Sequence, residues 1–243
     1  MMKNLIRAIM ALAVTSLTLT SCGDDEDDAV AIAISAPAEI TLGAGFQQTL
    51  AIDATGSGLS SATVTISKEG TNVLTDELTL SGDEADLDFS FTINETGDYT
   101  AVVTVTDGSG ATQSANIALT IACMPTPDHV VASKISFVAE VPSFTTGSVG
   151  VVGQFTDWGN NPDVSLTKVG ESDCYCGTVE TTIADGGFKL RLDGTWDKVE
   201  KTSDCQEILN GENRTTTAVA GDTVAVVVAE WRNSDQFGGG CGN

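Results

Sequence analysis

Between residues 29 and 121 apolar and polar side chains alternate in short runs. Ala62-Thr63-Val64-Thr65-Ile66-Ser67, Leu87-Asp88-Phe89-Ser90-Phe91-Thr92-Ile93 and Tyr99-Thr100-Ala101-Val102-Val103-Thr104-Val105-Thr106 keep a period of two in β-branched and aromatic residues. That is the pattern of strands with one buried and one wet face. Gly, Asn, Asp and Ser interrupt the runs at 55–58, 69–72, 81–83, 95–98 and 107–110, the frequent turn signals of a β-sandwich. No helical stripe competes. Two prolines in Ala122-Cys123-Met124-Pro125-Thr126-Pro127-Asp128 then mark a boundary. Beyond it, Val149-Gly150-Val151-Val152-Gly153-Gln154-Phe155 reads as a strand entering a loop that ends in Asp157-Trp158. Phe188-Lys189-Leu190-Arg191-Leu192 reads as a strand followed by a tight Asp193-Gly194 turn and Trp196. Trp231 follows the apolar run Val226-Val227-Val228 and is expected to be packed.

The first residues change the picture. Met1-Met2-Lys3-Asn4-Leu5-Ile6-Arg7 is a short cationic start, and the apolar stretch 8–19 leads to Leu19-Thr20-Ser21-Cys22, the layout of a secretory signal. The apolar core is too short to span a bilayer, which takes roughly 20 residues. Leu-Thr-Ser-Cys resembles the lipobox of bacterial lipoproteins. The resemblance implies a signal peptide over 1–21, lipidation at Cys22 and attachment to a membrane through that anchor. The run Gly23-Asp24-Asp25-Glu26-Asp27-Asp28 repels itself and reads as an extended tether. It resembles the acidic signal that sends Bacteroidota lipoproteins to the outer face of the outer membrane.

Charge narrows the possible partners. The chain carries 34 Asp and Glu against 11 Lys and Arg, for a net charge of −23. From 23 to 122 Lys68 stands alone against 17 acids, and from 123 to 243 eight bases face 17 acids. Such a field repels nucleic acid and anionic lipid, which are held through Lys and Arg on phosphates.

Five cysteines remain besides Cys22, namely Cys123, Cys174, Cys176, Cys205 and Cys241. Outside the cytoplasm such residues usually pair, and an odd number leaves at least one free or bonded to another chain. Cys174 and Cys176 flank Tyr175 in an expected strand, so they point to one face and reach different partners. Their connectivity is left open. The C-x-C spacing and the single histidine, His129, fit the usual zinc sets poorly, and no metal or cofactor is expected. The acids Asp83, Glu84, Asp86 and Asp88 are oxygen ligands of the kind that hold calcium, but their spacing follows no calcium loop, and Asp86 and Asp88 read as the wet face of the strand carrying Leu87, Phe89 and Phe91. No catalytic residue is expected, because a Ser-His-Asp or Cys-His centre would depend on His129 alone.

Thr96-Gly97-Asp98-Tyr99 through Thr106-Asp107-Gly108-Ser109-Gly110 resembles the closing hairpin of PKD-like and bacterial Ig-like domains, with Tyr99 capping the core. The second half is similar to early-set β-sandwich modules that bind starch and glycogen. Its Gly153-Gln154-Phe155-Thr156-Asp157-Trp158 loop, Phe188-Lys189-Leu190 strand and Asp193-Gly194-Thr195-Trp196 turn follow the order and spacing of that family. The whole also resembles the outer-membrane lipoproteins of starch-utilisation systems. By this resemblance Trp158 and Trp196 form a stacking platform, Lys189 hydrogen-bonds the sugar and Asn213 lies in a loop that meets it. Arg191 and Leu192 depart from the family, which has aromatics there, and Cys174-Tyr175-Cys176 lies outside its pattern.

The expected architecture is therefore all-β, two consecutive Ig-like β-sandwich domains after a lipoprotein signal peptide. It comprises a tether at 22–28, a PKD/Ig-like sandwich at 29–123, a linker at 124–128 and an early-set, carbohydrate-binding-like sandwich at 129–243. The expected activity is non-catalytic binding of a polysaccharide, an α-glucan such as starch or glycogen, with other outer-membrane uptake proteins as further candidate partners. The competing expectation is an adhesion or scaffold lipoprotein with no sugar site.

Overall fold

The computed structural model describes residues 31–180 and 187–242. The signal peptide, the lipidation at Cys22 and the acidic tether, all expectations from the sequence, lie outside the described residues. The chain divides into two compact units, one of 31–41, 48–91 and 97–120, the other of 42–47, 92–96 and the chain from 121 onward. Both are built from strands. No described helix is long and apolar enough to cross a membrane.

The strands centred in the first unit are β1 (Ala33–Ser35), β2 (Glu39–Gly43), β3 (Gln47–Thr55), β4 (Leu59–Lys68), β5 (Thr71–Thr79), β6 (Glu84–Thr92), β7 (Gly97–Asp107) and β8 (Thr112–Ala122). They form two sheets, β1-β3-β6 and β2-β8-β7-β4-β5. The chain crosses repeatedly between the sheets, the connectivity of an Ig-like sandwich. Each alternating run has become a strand with its apolar set inside. Leu87, Phe89 and Phe91 are buried on β6 while Asp86, Asp88 and Ser90 face water. On β7, Tyr99, Ala101, Val103 and Val105 are buried, so Tyr99 closes the core as expected. The turn after β7 is tied by Asp107, whose Oδ1 accepts from the Ser109 amide and hydroxyl and from the Ala111 amide.

The second unit contains β9 (Ile135–Glu140), β10 (Val149–Gly153), β11 (Val164–Ser165), β12 (Thr167–Lys168), β13 (Cys174–Val179), β14 (Phe188–Leu192), β15 (Glu200–Lys201), β16 (Thr223–Val227) and β17 (Glu230–Trp231). One sheet runs β12-β13-β9-β16, with β16 parallel to β9, and another runs β11-β10-β14. Their inner faces share a core of Ile135, Phe137, Val149, Val151, Tyr175, Phe188, Leu190, Leu192, Val224, Val226 and Trp231. Phe137 and Phe188 meet edge to face at 5.2 Å, the arrangement that the ring quadrupoles favour. Trp231 is fully buried and its indole N–H donates to Thr145 Oγ1 at 2.9 Å. The chain is thus all-β throughout its described residues, in two β-sandwich units.

Two disulfides fasten the second unit, Cys123–Cys174 and Cys205–Cys241. The second ties down the glycine-rich tail through Cys241. Cys176 is the free cysteine among the described residues, and it is buried.

Candidate functional site

The outer face of the β11-β10-β14 sheet organises the site. Along β14 the core takes Phe188, Leu190 and Leu192, so strand alternation turns Lys189 and Arg191 to the other face. Gly150 on β10 stands opposite Arg191, and Ser165 on β11 stands opposite Gly150. Arg191 Nε and Nη2 donate to Asp163 Oδ2 and Oδ1, both at 2.6 Å. This is a bidentate pair whose side chains are 6% and 9% exposed. Gly150 leaves room for it, since a Cβ there would lie 2.8 Å from Asp163 Cβ.

Trp158 reaches the site from a turn over Gln154–Gly159, where Asp157 (φ 49°, ψ 44°) and Trp158 (φ 50°, ψ 36°) are left-handed. Gly159 follows at φ +95°, and a side chain there would strike the Arg191 guanidinium at 2.6 Å. Left-handed backbone is costly for residues with a Cβ and persists where the surroundings enforce it. Here Asn160 N–H donates to Asp157 O, Asn161 N–H to Thr156 O and Asn160 Nδ2 to Asp157 Oδ2.

Trp196 comes from the other side. Asp193 and Gly194 both take positive φ, 56° and 65°, so the expected turn forms. The returning chain first pairs at Val199, opposite Arg191, so the connection is wider than a two-residue hairpin. The reason is a short turn at Trp196–Lys198, whose start is capped by Thr195 Oγ1 accepting from Asp197 N–H. Arg232 Nη1 donates to Trp196 O, and Asn233 Nδ2 to Asp197 O. The Asp193 carboxyl is held below its ordinary range by Lys198, with help from the Ser148 amide. It thereby pins the turn to the strand it leaves.

The two indoles meet at 6.5 Å between centroids with planes inclined by 30°. Trp196 is 41% exposed and Trp158 is half-buried. The Arg191 guanidinium lies 4.9 Å from the Trp196 ring centroid, a cation–π contact that fixes one face of that ring.

Lys189 lies on the outer face of β14 but is buried, and its Nζ donates to Glu212 O at 2.9 Å. It holds the 208–214 loop against β14. Asn213 is half-buried beside Gly187, where a Cβ would come within 2.8 Å of the Asn213 Cβ. Beneath them Glu200 Oε1 accepts from Leu190 N–H and Oε2 from Arg214 Nε. Burial pushes the Glu200 carboxyl above its ordinary range, against the opposing pull of Arg214 and Lys189. The structure therefore brings Trp158 and Trp196 together and sets Lys189 to fixing a loop.

Arg191 and Asp163 were not among the expected site residues. Arg191 stood out in the sequence only as a departure from an aromatic position, and Asp163 carried no signal. His129 Nδ1 lies 2.5 Å from Thr126 Oγ1 and 3.3 Å from the Cys176 sulfur, a contact that spacing along the chain does not reveal. Among the described residues no cluster of His, Cys, Asp and Glu has the geometry of a metal site.

No protein-family model matches the chain, and no curated protein sequence matches it either. Similar solved structures include the CARDB domain of a Pyrococcus furiosus protein, at 17% identity over 39% of this chain and 90% of that one, with a TM-score of 0.29. The fibronectin(III)-like modules of Clostridium thermocellum CbhA align at 15% identity over 37% and 96%, TM-score 0.26. The sialic acid binding region of a Streptococcus sanguinis adhesin aligns at 13% identity over 82% of this chain and 49% of that one, TM-score 0.34. An engineered protein is matched over 20% of its own length, at 23% identity and a TM-score of 0.29.

Proposed function

We propose that this chain is a non-catalytic surface lipoprotein that binds glycan through Trp158 and Trp196. The observation that carries the reading is the tryptophan pair itself. Two loops from different parts of the sandwich bring their indoles to 6.5 Å, and one of them is 41% exposed. An exposed indole offers a flat apolar surface to the C–H face of a pyranose, while neighbouring polar groups take the hydroxyls. The 30° inclination suits a glycan whose successive rings turn relative to one another, as in an α-glucan, better than a flat ribbon. In this reading Asn213 and the 208–214 loop border the sugar, and Lys189 positions that loop.

The anchor half of the proposal rests on sequence. A cationic start, a short apolar core and Leu19-Thr20-Ser21-Cys22 support export and lipidation at Cys22, and the acidic run after it supports the outer face of the outer membrane. Other outer-membrane uptake proteins would be natural neighbours there. Affinity electrophoresis of the chain from residue 23 through starch, glycogen and control polysaccharides tests the binding. Retardation by α-glucan that is lost in Trp158→Ala and Trp196→Ala is the expected result. Equal mobility in every gel would leave an adhesion or scaffold role as the better reading.

A further inference from the structure

We propose that the groove beside the tryptophan pair is a second subsite, for an uncharged sugar, and that the Arg191–Asp163 pair restricts it to uncharged ligands. The inference rests on the glycan reading above. The groove has a volume of about 400 Å³ and is lined by Ser148, Asn160, Asn161, Asp163, Ser165 and Arg191, among others. That volume lies in the range of small-molecule sites. The groove borders both tryptophan loops, through Gly159 on one and Gly194 on the other. Gly159 in its wall follows Trp158 in the chain, and the Arg191 guanidinium contacts the Trp196 ring while forming part of the lining.

The lining sets the chemistry. Carboxamides at 160 and 161 and hydroxyls at 148 and 165 each offer donor and acceptor positions, which match the mixed donor–acceptor character of sugar hydroxyls. Arg191 contributes no spare charge, because Asp163 engages it through two bonds of 2.6 Å. Cations near the tryptophan loops are paired with acids as well, Lys198 Nζ with Asp193 at 2.7 Å and Arg232 with Glu207. Asp157 and Asp197 stand on the two tryptophan loops. A uronate, sulfate or sialic acid carboxylate entering the groove would lose hydration beside an Arg191 already paired with Asp163. A neutral hydroxylated ring meets no such penalty.

The test uses the chain from residue 23 with maltotriose and maltoheptaose in calorimetry, and with amylose and C6-carboxylated amylose in affinity gels. Occupation of the groove makes maltoheptaose bind about tenfold tighter than maltotriose, the worth of one or two net hydrogen bonds. Ser165→Phe, at an exposed position, fills the groove and brings that ratio to near unity. Wild type is retarded by amylose but not by its carboxylated form, and Asp163→Asn, which frees the guanidinium, gains retardation by the carboxylated gel. If Ser165→Phe keeps the ratio, or wild type is held equally by both gels, the subsite and its selectivity are wrong while the tryptophan reading stands. If wild type binds neither sugar nor gel, the glycan reading itself falls and this proposal with it. Should Asp163→Asn not fold, the wild-type comparison of the two gels still decides the charge question.

Discussion

Replacing Asp163 by Asn removes one charge and almost no volume. Arg191 is then left with its side chain 6% exposed and its partner neutral. Two charge-assisted bonds of 2.6 Å are weakened together. Removing one member of a buried pair costs about 3–5 kcal/mol, mostly because the remaining charge is stranded. The pair borders an open groove through which water can reach the guanidinium, so the low end, about 3 kcal/mol, is expected. At about 4 °C per kcal/mol for a unit of this size, the midpoint falls by about 12 °C. Intrinsic fluorescence reads this unit alone, since Trp158, Trp196 and Trp231 all lie in it. Urea titrations of wild type, Asp163→Asn, Arg191→Met and the double variant complete a cycle. The double variant buries no stranded charge, so it should be more stable than Asp163→Asn. A loss below about 1 kcal/mol in Asp163→Asn would give the pair only the worth of a surface contact, and the account of a buried, preorganised Arg191 would fail.

Cys205 and Cys241 lie 36 residues apart in sequence, and chain entropy gives such a crosslink about 4 kcal/mol. Cys205→Ser should lower the denaturation free energy of the second unit by an amount of that order, and proteolysis should then cut first in the tail after Phe237. Among the five cysteines beyond Cys22, iodoacetamide without reductant should label Cys176 alone, and only in denaturant, as peptide mass mapping would show; labelling in the native state would contradict its burial. Lys201, and after it Arg232, hold the Glu207 carboxyl below its ordinary 4.5. A depressed folded value contributes stability that is present above the unfolded value and is lost as pH falls through the folded one. The stability gap between wild type and Glu207→Gln should therefore be widest above the ordinary value and close as the solution is acidified. A gap that widens on acidification would reverse the assignment.

The strands were legible because their signal is local. In Leu87-Asp88-Phe89-Ser90-Phe91 the alternation is itself the difference between the buried and wet faces of β6, and no distant information is needed. Trp231 was legible as a packed residue for a similar reason. What the chain does not print is who meets whom across the sandwich. Arg191 and Asp163 are 28 residues apart, and only the pairing of β10 with both β11 and β14 brings them together. The cysteines show the same limit, since parity requires an unpaired thiol but only the fold decides that it is Cys176. Lys189 sits at the expected position in β14, yet its burial depends on Glu212, which a distant loop supplies.

The left-handed residues at 157 and 158 join these observations. A turn that only had to connect β10 to β11 would place glycine, asparagine or aspartate at such positions, not tryptophan. Strain of about 1–3 kcal/mol at each is retained, and the result is an indole projected beside Trp196. Gly159 then lets the chain pass against Arg191, and Arg191 in turn contacts the Trp196 ring. Loop, ion pair and second indole therefore constrain one another before any ligand arrives. In the proposed glycan-binding role, a surface made this way incurs its ordering cost during folding, so little of the interaction energy with a ligand is lost to fixing the rings. A loop left in that geometry with no ligand to meet would carry strain that a single change of Asp157 to glycine relieves.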